Sequence, residues 1–175
     1  MACGDRIAAP MGPVVTTISI DAPRERVFEV LSDLAYRPAF CDHFADEYHL
    51  QRLESRGIGA TARFYADARG FPMWMETVIT ELEAPHRIIE RGHGSRSDRM
   101  AVGTAWELVE GPGATTELTV TFWAEPEMRS DKAKAHLGAS RWYRKQWLKA
   151  LKRLRDMLES GEPIESMHVG GASRI

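Results

Sequence analysis

Hydrophobic side chains recur at two spacings along this chain, every second residue through its middle and every third or fourth near its end. Between Asp131 and Ser160, Tyr143, Trp147, Leu151, Leu154 and Leu158 follow at steps of four, four, three and four. That is one stripe along a helix of 3.6 residues per turn, so a long C-terminal helix with one face in need of cover is expected. Strand-like segments precede it and a polar tail follows. The cover is therefore expected to be a sheet.

Val14 to Ile20 alternates β-branched and polar residues and predicts the first strand. Asp21-Ala22-Pro23 stops it, with Asp21 as the expected N-cap and Pro23 in the first turn of a short helix. Val27, Phe28, Val30 and Leu31 form the apolar side of that helix. At Tyr36-Arg37-Pro38 the pattern is expected to break, because a residue before proline is driven out of helical geometry. A second helical turn over Pro38 to Phe44 follows. Strands are then expected from Glu47 to Glu54, Ala60 to Arg69, Phe71 to Glu83 and Arg87 to Arg91, with Gly57-Ile58-Gly59 turning the first into the second. Arg91 to Arg99 reads as a loop by its Gly and Ser content. Arg99 to Glu110 and Thr115 to Ala124 make a hairpin across Gly111-Pro112-Gly113. Short turns between neighbours imply antiparallel pairing. The expected class is α+β, an antiparallel sheet closed by a helix. Residues 1–13 are read as a flexible leader, 14–160 as a single domain and 161–175 as a flexible tail.

Composition narrows the function classes. Hydrophobic residues make up 43% and charged residues 27% of 175, an ordinary globular balance. No apolar run approaches the roughly 18 to 20 residues a membrane span requires, and the N-terminus lacks the apolar core of a secretory signal. A cytoplasmic protein without an integral membrane segment is expected. Residues 131–160 hold nine Lys/Arg against three Asp/Glu, leaving 14 against 22 elsewhere. The basic helix would suit nucleic acid or an anionic membrane. Complementing the acidic body with a solvated back is the simpler reading, and no nucleic-acid partner is expected. Cys3 and Cys41 make no disulfide framework, and Cys41-Asp42-His43 lacks a second ligand pair, so no metal is expected. No phosphate-binding glycine loop or serine elbow is present, and no cofactor is expected.

Several short runs carry a resemblance: Ile20-Asp21-Ala22-Pro23 with Val27-Phe28 and Leu31-Ser32-Asp33, Gly57-Ile58-Gly59, Glu83-Ala84-Pro85-His86-Arg87-Ile88, and Trp106-Glu107-Leu108. In their order and spacing, from about Val14 to Ser160, the chain resembles the START-like (SRPBCC) superfamily and its polyketide cyclase/dehydrase branch. The resemblance implies the helix-grip (START/Bet v 1-like) fold: a curved antiparallel sheet around a long C-terminal helix, with two short helices after the first strand. It also implies a pocket between sheet and helix. The superfamily is functionally diverse, so fold does not settle function.

Strand periodicity then nominates the lining. The resemblance favours Val78 and Leu82 facing inward, and strict alternation carries Trp74 and Glu76 with them. Trp106 and Phe122 face inward from the hairpin, and Phe64 lies on the same side of its strand as Ala62, Ala66 and Ala68. Tyr143 and Trp147 supply the helix wall, and Phe40 and Phe44 plug one end. A carboxylate between Trp74 and Val78 would be partly desolvated, so Glu76 is the candidate proton donor or acceptor. The alternatives are a register that exposes Glu76 to water, or its pairing with Arg63 at the cavity mouth. The expected role is binding of a small hydrophobic molecule, a lipid, isoprenoid or polyketide-like aromatic. The alternatives are a cyclase or aromatase using the same cavity, and an interaction protein using the basic helix face. An exposed strand face, or Trp123, would suit a homodimer.

Overall fold

The computed structural model describes residues 11–68, 72–94, 100–126 and 139–167. Seven strands form one antiparallel sheet: β1 (Met11–Ile20), β2 (Asp46–Leu50), β3 (Thr61–Asp67), β4 (Pro72–Glu83), β5 (Arg87–Gly94), β6 (Met100–Glu110) and β7 (Thr116–Pro126). Their order is β1-β7-β6-β5-β4-β3-β2, so each strand from β2 to β7 pairs with its neighbour in sequence. The helices are α1 (Arg24–Leu31), α2 (Arg37–Cys41) and α3 (Ala139–Ser160). The antiparallel sheet and C-terminal helix are those of the helix-grip fold. Residues 131–138 of the expected long helix, residues 1–10 of the leader and 95–99 of the expected loop lie outside the described residues, as do Phe71 and 168–175.

The helix stripe is buried as its spacing requires. Tyr143, Trp147, Leu151 and Leu154 are buried with Ala150, and Leu158 packs at the margin of the core. Opposite them lie Ile79, Ile88, Trp106, Leu118 and Val120, each fully enclosed. Burying one such side chain contributes about 1.5–3 kcal/mol, so this interface is the main stabilising contact of the fold.

The chain between β1 and β2 departs from expectation. Pro23, not Asp21, caps α1; the Asp21 N–H instead donates to Glu159 Oε1 at 2.8 Å, tying the loop to the end of α3. The break comes at Asp33, whose extended backbone bridges Arg56. Asp33 Oδ1 accepts from the Ala35 N–H at 3.0 Å and Oδ2 from Arg56 Nε at 2.7 Å. Arg37 is helical (φ −56°, ψ −43°) despite preceding Pro38. The pre-proline bias is a local preference, and here the buried side chain of Arg37 overrides it. Gly57 and Gly59, at φ +80° and +91°, supply the left-handed backbone that carries the chain into β3.

The largest correction concerns β4. Met75, Thr77 and Ile79 are its buried residues, whereas Trp74, Glu76 and Val78 lie on the other face of the sheet. A bulge explains the reversal: Ile79 pairs with Glu90 but Glu81 pairs with Ile89. The extra residue, Thr80, flips the parity of the strand. Leu82 does pack on the core, but its orientation does not propagate to Val78. β5 runs to Gly94 rather than stopping at Arg91, because Gly92, His93 and Gly94 pair with both neighbouring strands. Beyond α3, residues 161–167 lie back over the short helices, where the Met167 N–H donates to the Ala35 carbonyl at 2.9 Å. Ile164 and Met167 pack against the core there, so this part of the expected tail is docked.

Candidate functional site

Between the sheet and α3 lies a cavity of about 20 Å³, lined by residues from α2, the loop after it, the six strands β2 to β7 and α3. Its wall is mostly apolar: Phe44, Phe64, Met75, Phe122, Tyr143 and Trp147. Edge-to-face and tilted ring contacts join them, with Trp147 5.2 Å from Phe44, 5.4 Å from Trp106 and 6.0 Å from Phe122. Tyr48 stacks on Phe64 at 5.9 Å. At this volume the space takes about one water molecule. Anything larger requires the ring side chains to change rotamer.

One ion pair is built into this wall. Arg37 and Glu90 are 5% and 4% exposed, and Arg37 Nη2 donates to Glu90 Oε1 at 2.6 Å. The same oxygen accepts the Trp106 indole N–H at 2.8 Å. The guanidinium lies over the Trp106 ring at 4.6 Å and near that of Phe40 at 5.6 Å. Burial, the largest single effect, favours loss of the arginine proton, but the Glu90 charge and hydrogen bond together with Tyr48 and Cys41 outweigh it and hold the proton more tightly. Burial pushes the Cys41 thiol up to about 12 and raises the Tyr48 and Tyr143 hydroxyls above their ordinary range. The cavity groups are thus either paired or uncharged at neutral pH.

Three residues that line this cavity each carry a buried donor with no partner among the described residues: Arg37 Nε, the Tyr143 hydroxyl and Trp147 Nε1. Tyr143 and Trp147 are one helical turn apart on α3 and are 2% and 5% exposed. Buried polar groups are nearly always satisfied, so an unpartnered trio on one cavity is informative.

The family model described as polyketide cyclase / dehydrase and lipid transport matches residues 11–159. The chain belongs to this family. Comparison with curated proteins gives no match. Among solved structures, the family fold recurs in the Zhui aromatase/cyclase of Streptomyces sp. R1128, with 18% identity and a TM-score of 0.66 over 84% of this chain and 93% of that one. A START superfamily protein of Mycobacterium smegmatis aligns with 15% identity and a TM-score of 0.62, covering 85% and 97%. Major latex-like protein 151 of Panax ginseng gives 11%, 0.64, 83% and 96%. At these identities the likeness shows the fold alone.

In this polyketide cyclase/dehydrase family member, five of the ten residues nominated from sequence, Phe44, Phe64, Phe122, Tyr143 and Trp147, line the cavity. Phe40 and Trp106 are fully buried beside it. Trp74, Glu76 and Val78 are on the outer face, where Arg63 lies over the Trp74 ring at 4.6 Å and Tyr65 meets its edge. Glu76 is exposed, so the desolvation that made it a proton-transfer candidate is absent. Ala62, Ala66 and Ala68 are buried as expected, but the cavity does not reach them. Arg37 and Glu90 escaped the strand periodicity. A signal existed: each is one charge in an apolar run, Leu34 to Cys41 and Ile88-Ile89-Glu90. Among the described residues no group of His, Cys, Asp and Glu is placed to hold a metal, and no helix is long and apolar enough to cross a membrane.

The basic helix face is exposed at Arg141, Arg144, Lys145, Lys149 and Lys152 and half-buried at Arg153. Arg153 straps α3 to α2, binding Asp42, the Ala39 carbonyl at 3.0 Å and His43 Nδ1 at 3.1 Å. His43 Nε2 meets the Gln146 carbonyl at 3.2 Å. A carbonyl only accepts, so Nε2 carries the proton and Nδ1 accepts from Arg153. Burial, helped by the charges of Lys149 and Arg153 and opposed by the Gln146 carbonyl hydrogen bond and Asp42, holds His43 below its ordinary 6.5. As pH falls, the unfolded chain takes up this proton first, so the contribution of His43 is present above about 6.5 and lost below it. Denaturation midpoints at pH 7.5 and 5.5 are expected to differ more for the wild type than for His43→Gln. Equal differences would refute the assignment. The Arg153 hydrogen bond holds Asp42 below its ordinary carboxylate value, so its own contribution is lost only at lower pH.

Proposed function

We propose that this protein binds a small, largely apolar molecule in the cavity between the sheet and α3. The observation that carries the reading is the cavity wall itself, aromatic and aliphatic side chains surrounding one self-compensated ion pair. Ligand sites are typically apolar enclosures with a few placed polar groups. The family description, which joins polyketide cyclase/dehydrase and lipid transport, supports the same reading. Binding is favoured over proton-transfer catalysis because Glu90 Oε1 is already committed to Arg37 and Trp106, and burial keeps the cavity thiol and phenols protonated.

Burying a bicyclic aromatic of roughly 200 Å² contributes about 5 kcal/mol at ~25 cal/mol per Å². Ring rearrangement offsets part of this, so a dissociation constant on the order of 1 mM is expected for so small a probe, and tighter binding for larger ones. Titration with 2-ethylnaphthalene and with Nile red, followed by quenching of tryptophan emission and by native mass spectrometry, should show saturable uptake of one molecule per chain. Failure to take up either probe would remove the proposal.

A further inference from the structure

The three unpartnered donors define what the ligand must carry. We propose that the physiological ligand is a neutral molecule with an acceptor oxygen, a ketone or ester carbonyl on an apolar frame, whose oxygen takes hydrogen bonds from the Tyr143 hydroxyl and Trp147 Nε1, with Arg37 Nε as a further donor on the same wall. This rests on the binding reading above and refines it.

Two of the three groups, Arg37 Nε and Trp147 Nε1, can only donate, and the third, a phenol, can donate as well as accept. Arg37 and Trp147 line the cavity, and neither of these donors has a protein acceptor among the described residues. Tyr143 is enclosed to the same degree and shares the wall. A donor withdrawn from water without a partner is costly, so a ligand oxygen placed among them recovers interactions that a hydrocarbon cannot. Charge selects further. Arg37 already faces Glu90 at 2.6 Å, so the pair presents no net charge to an incoming carboxylate. An anion entering here would shed its hydration and meet the Glu90 charge as well as the guanidinium. Fatty acids and other free carboxylates are therefore the wrong chemistry for this wall, and a neutral carbonyl compound is the right one. The competing occupant is a single ordered water, for which about 20 Å³ is enough room.

Three probes of one shape separate these cases: 2-acetylnaphthalene, 2-ethylnaphthalene and 2-naphthoate. The wild type should bind the ketone about tenfold or more tighter than the hydrocarbon, the scale of one recovered hydrogen bond, and the carboxylate no tighter than the hydrocarbon. The carbonyl stretch of the bound ketone should lie below its position in hexane. In Tyr143→Phe the ketone-to-hydrocarbon ratio should fall toward one and the stretch should move back up. Equal affinities in the wild type, with an unshifted carbonyl, would mean that water satisfies the donors; that result overturns this inference and leaves the binding function standing. Preference for 2-naphthoate overturns it too. Uptake of none of the three would remove the binding function and this refinement together. Should Tyr143→Phe fail to fold, the wild-type ratio and infrared shift decide the matter without it.

Discussion

Replacing Glu90 with glutamine is expected to destabilise the protein by about 3–5 kcal/mol. The amide keeps the shape of the side chain and still offers Trp106 an acceptor oxygen, so the variant removes little besides charge. What remains is the Arg37 guanidinium, 5% exposed, with the Glu90 counter-charge it is paired with gone. Its other polar contact is the Leu31 carbonyl at 3.4 Å, which cannot compensate a full charge. Arg37→Met/Glu90→Leu removes both charges together and should recover most of the loss, because buried pairs are often replaceable by apolar groups of similar volume. Equilibrium denaturation at pH 7 of the wild type, the single variant and the double variant measures this. A loss below about 1 kcal/mol in Glu90→Gln would mean that the pair is solvated and not part of a closed wall.

The second large effect is expected at Trp147. Truncation to alanine should cost about 3–5 kcal/mol, since this ring is the hub on which Phe44, Trp106 and Phe122 converge. The void left by the indole would merge with the existing cavity, so Trp147→Ala should also accept bulkier apolar probes than the wild type does. Trp74→Ala provides the contrast. Its ring lies on the outer face against Arg63 and Tyr65, and its loss should cost about 1 kcal/mol, with probe binding unaltered. Similar losses for the two tryptophans would contradict the register of β4.

That register marks where local pattern stops being sufficient. Thr116 to Ala124 alternates cleanly, and Leu118, Val120 and Phe122 face inward as their spacing demands. β4 alternates as cleanly, yet its inward set is Met75, Thr77 and Ile79, because both of its faces carry residues compatible with burial. Trp74 and Val78 are as hydrophobic as Met75 and Ile79. The one compositional difference between the faces is the charge at Glu76, and the bulge at Thr80 is set by pairing with β5. Arg37 likewise lies before a proline, where local preference opposes a helix. Its helical backbone is settled by an ion pair to a residue 53 positions away.

The chain by itself determined its class and layering: the stripe from Tyr143 to Leu158 calls for a sheet, and the strand run before it supplies one. Helix and strand periodicities arise from backbone geometry, so they survive in one dimension. It also placed Phe44, Phe64, Phe122, Tyr143 and Trp147 together, since each lies on a face whose polarity is unambiguous. Only the tertiary structure decided the polar chemistry of the cavity. Burying Arg37, Glu90 and three unpartnered donors is unfavourable for each residue alone, and their placement becomes intelligible only when partners distant in sequence, or a bound ligand, are in contact.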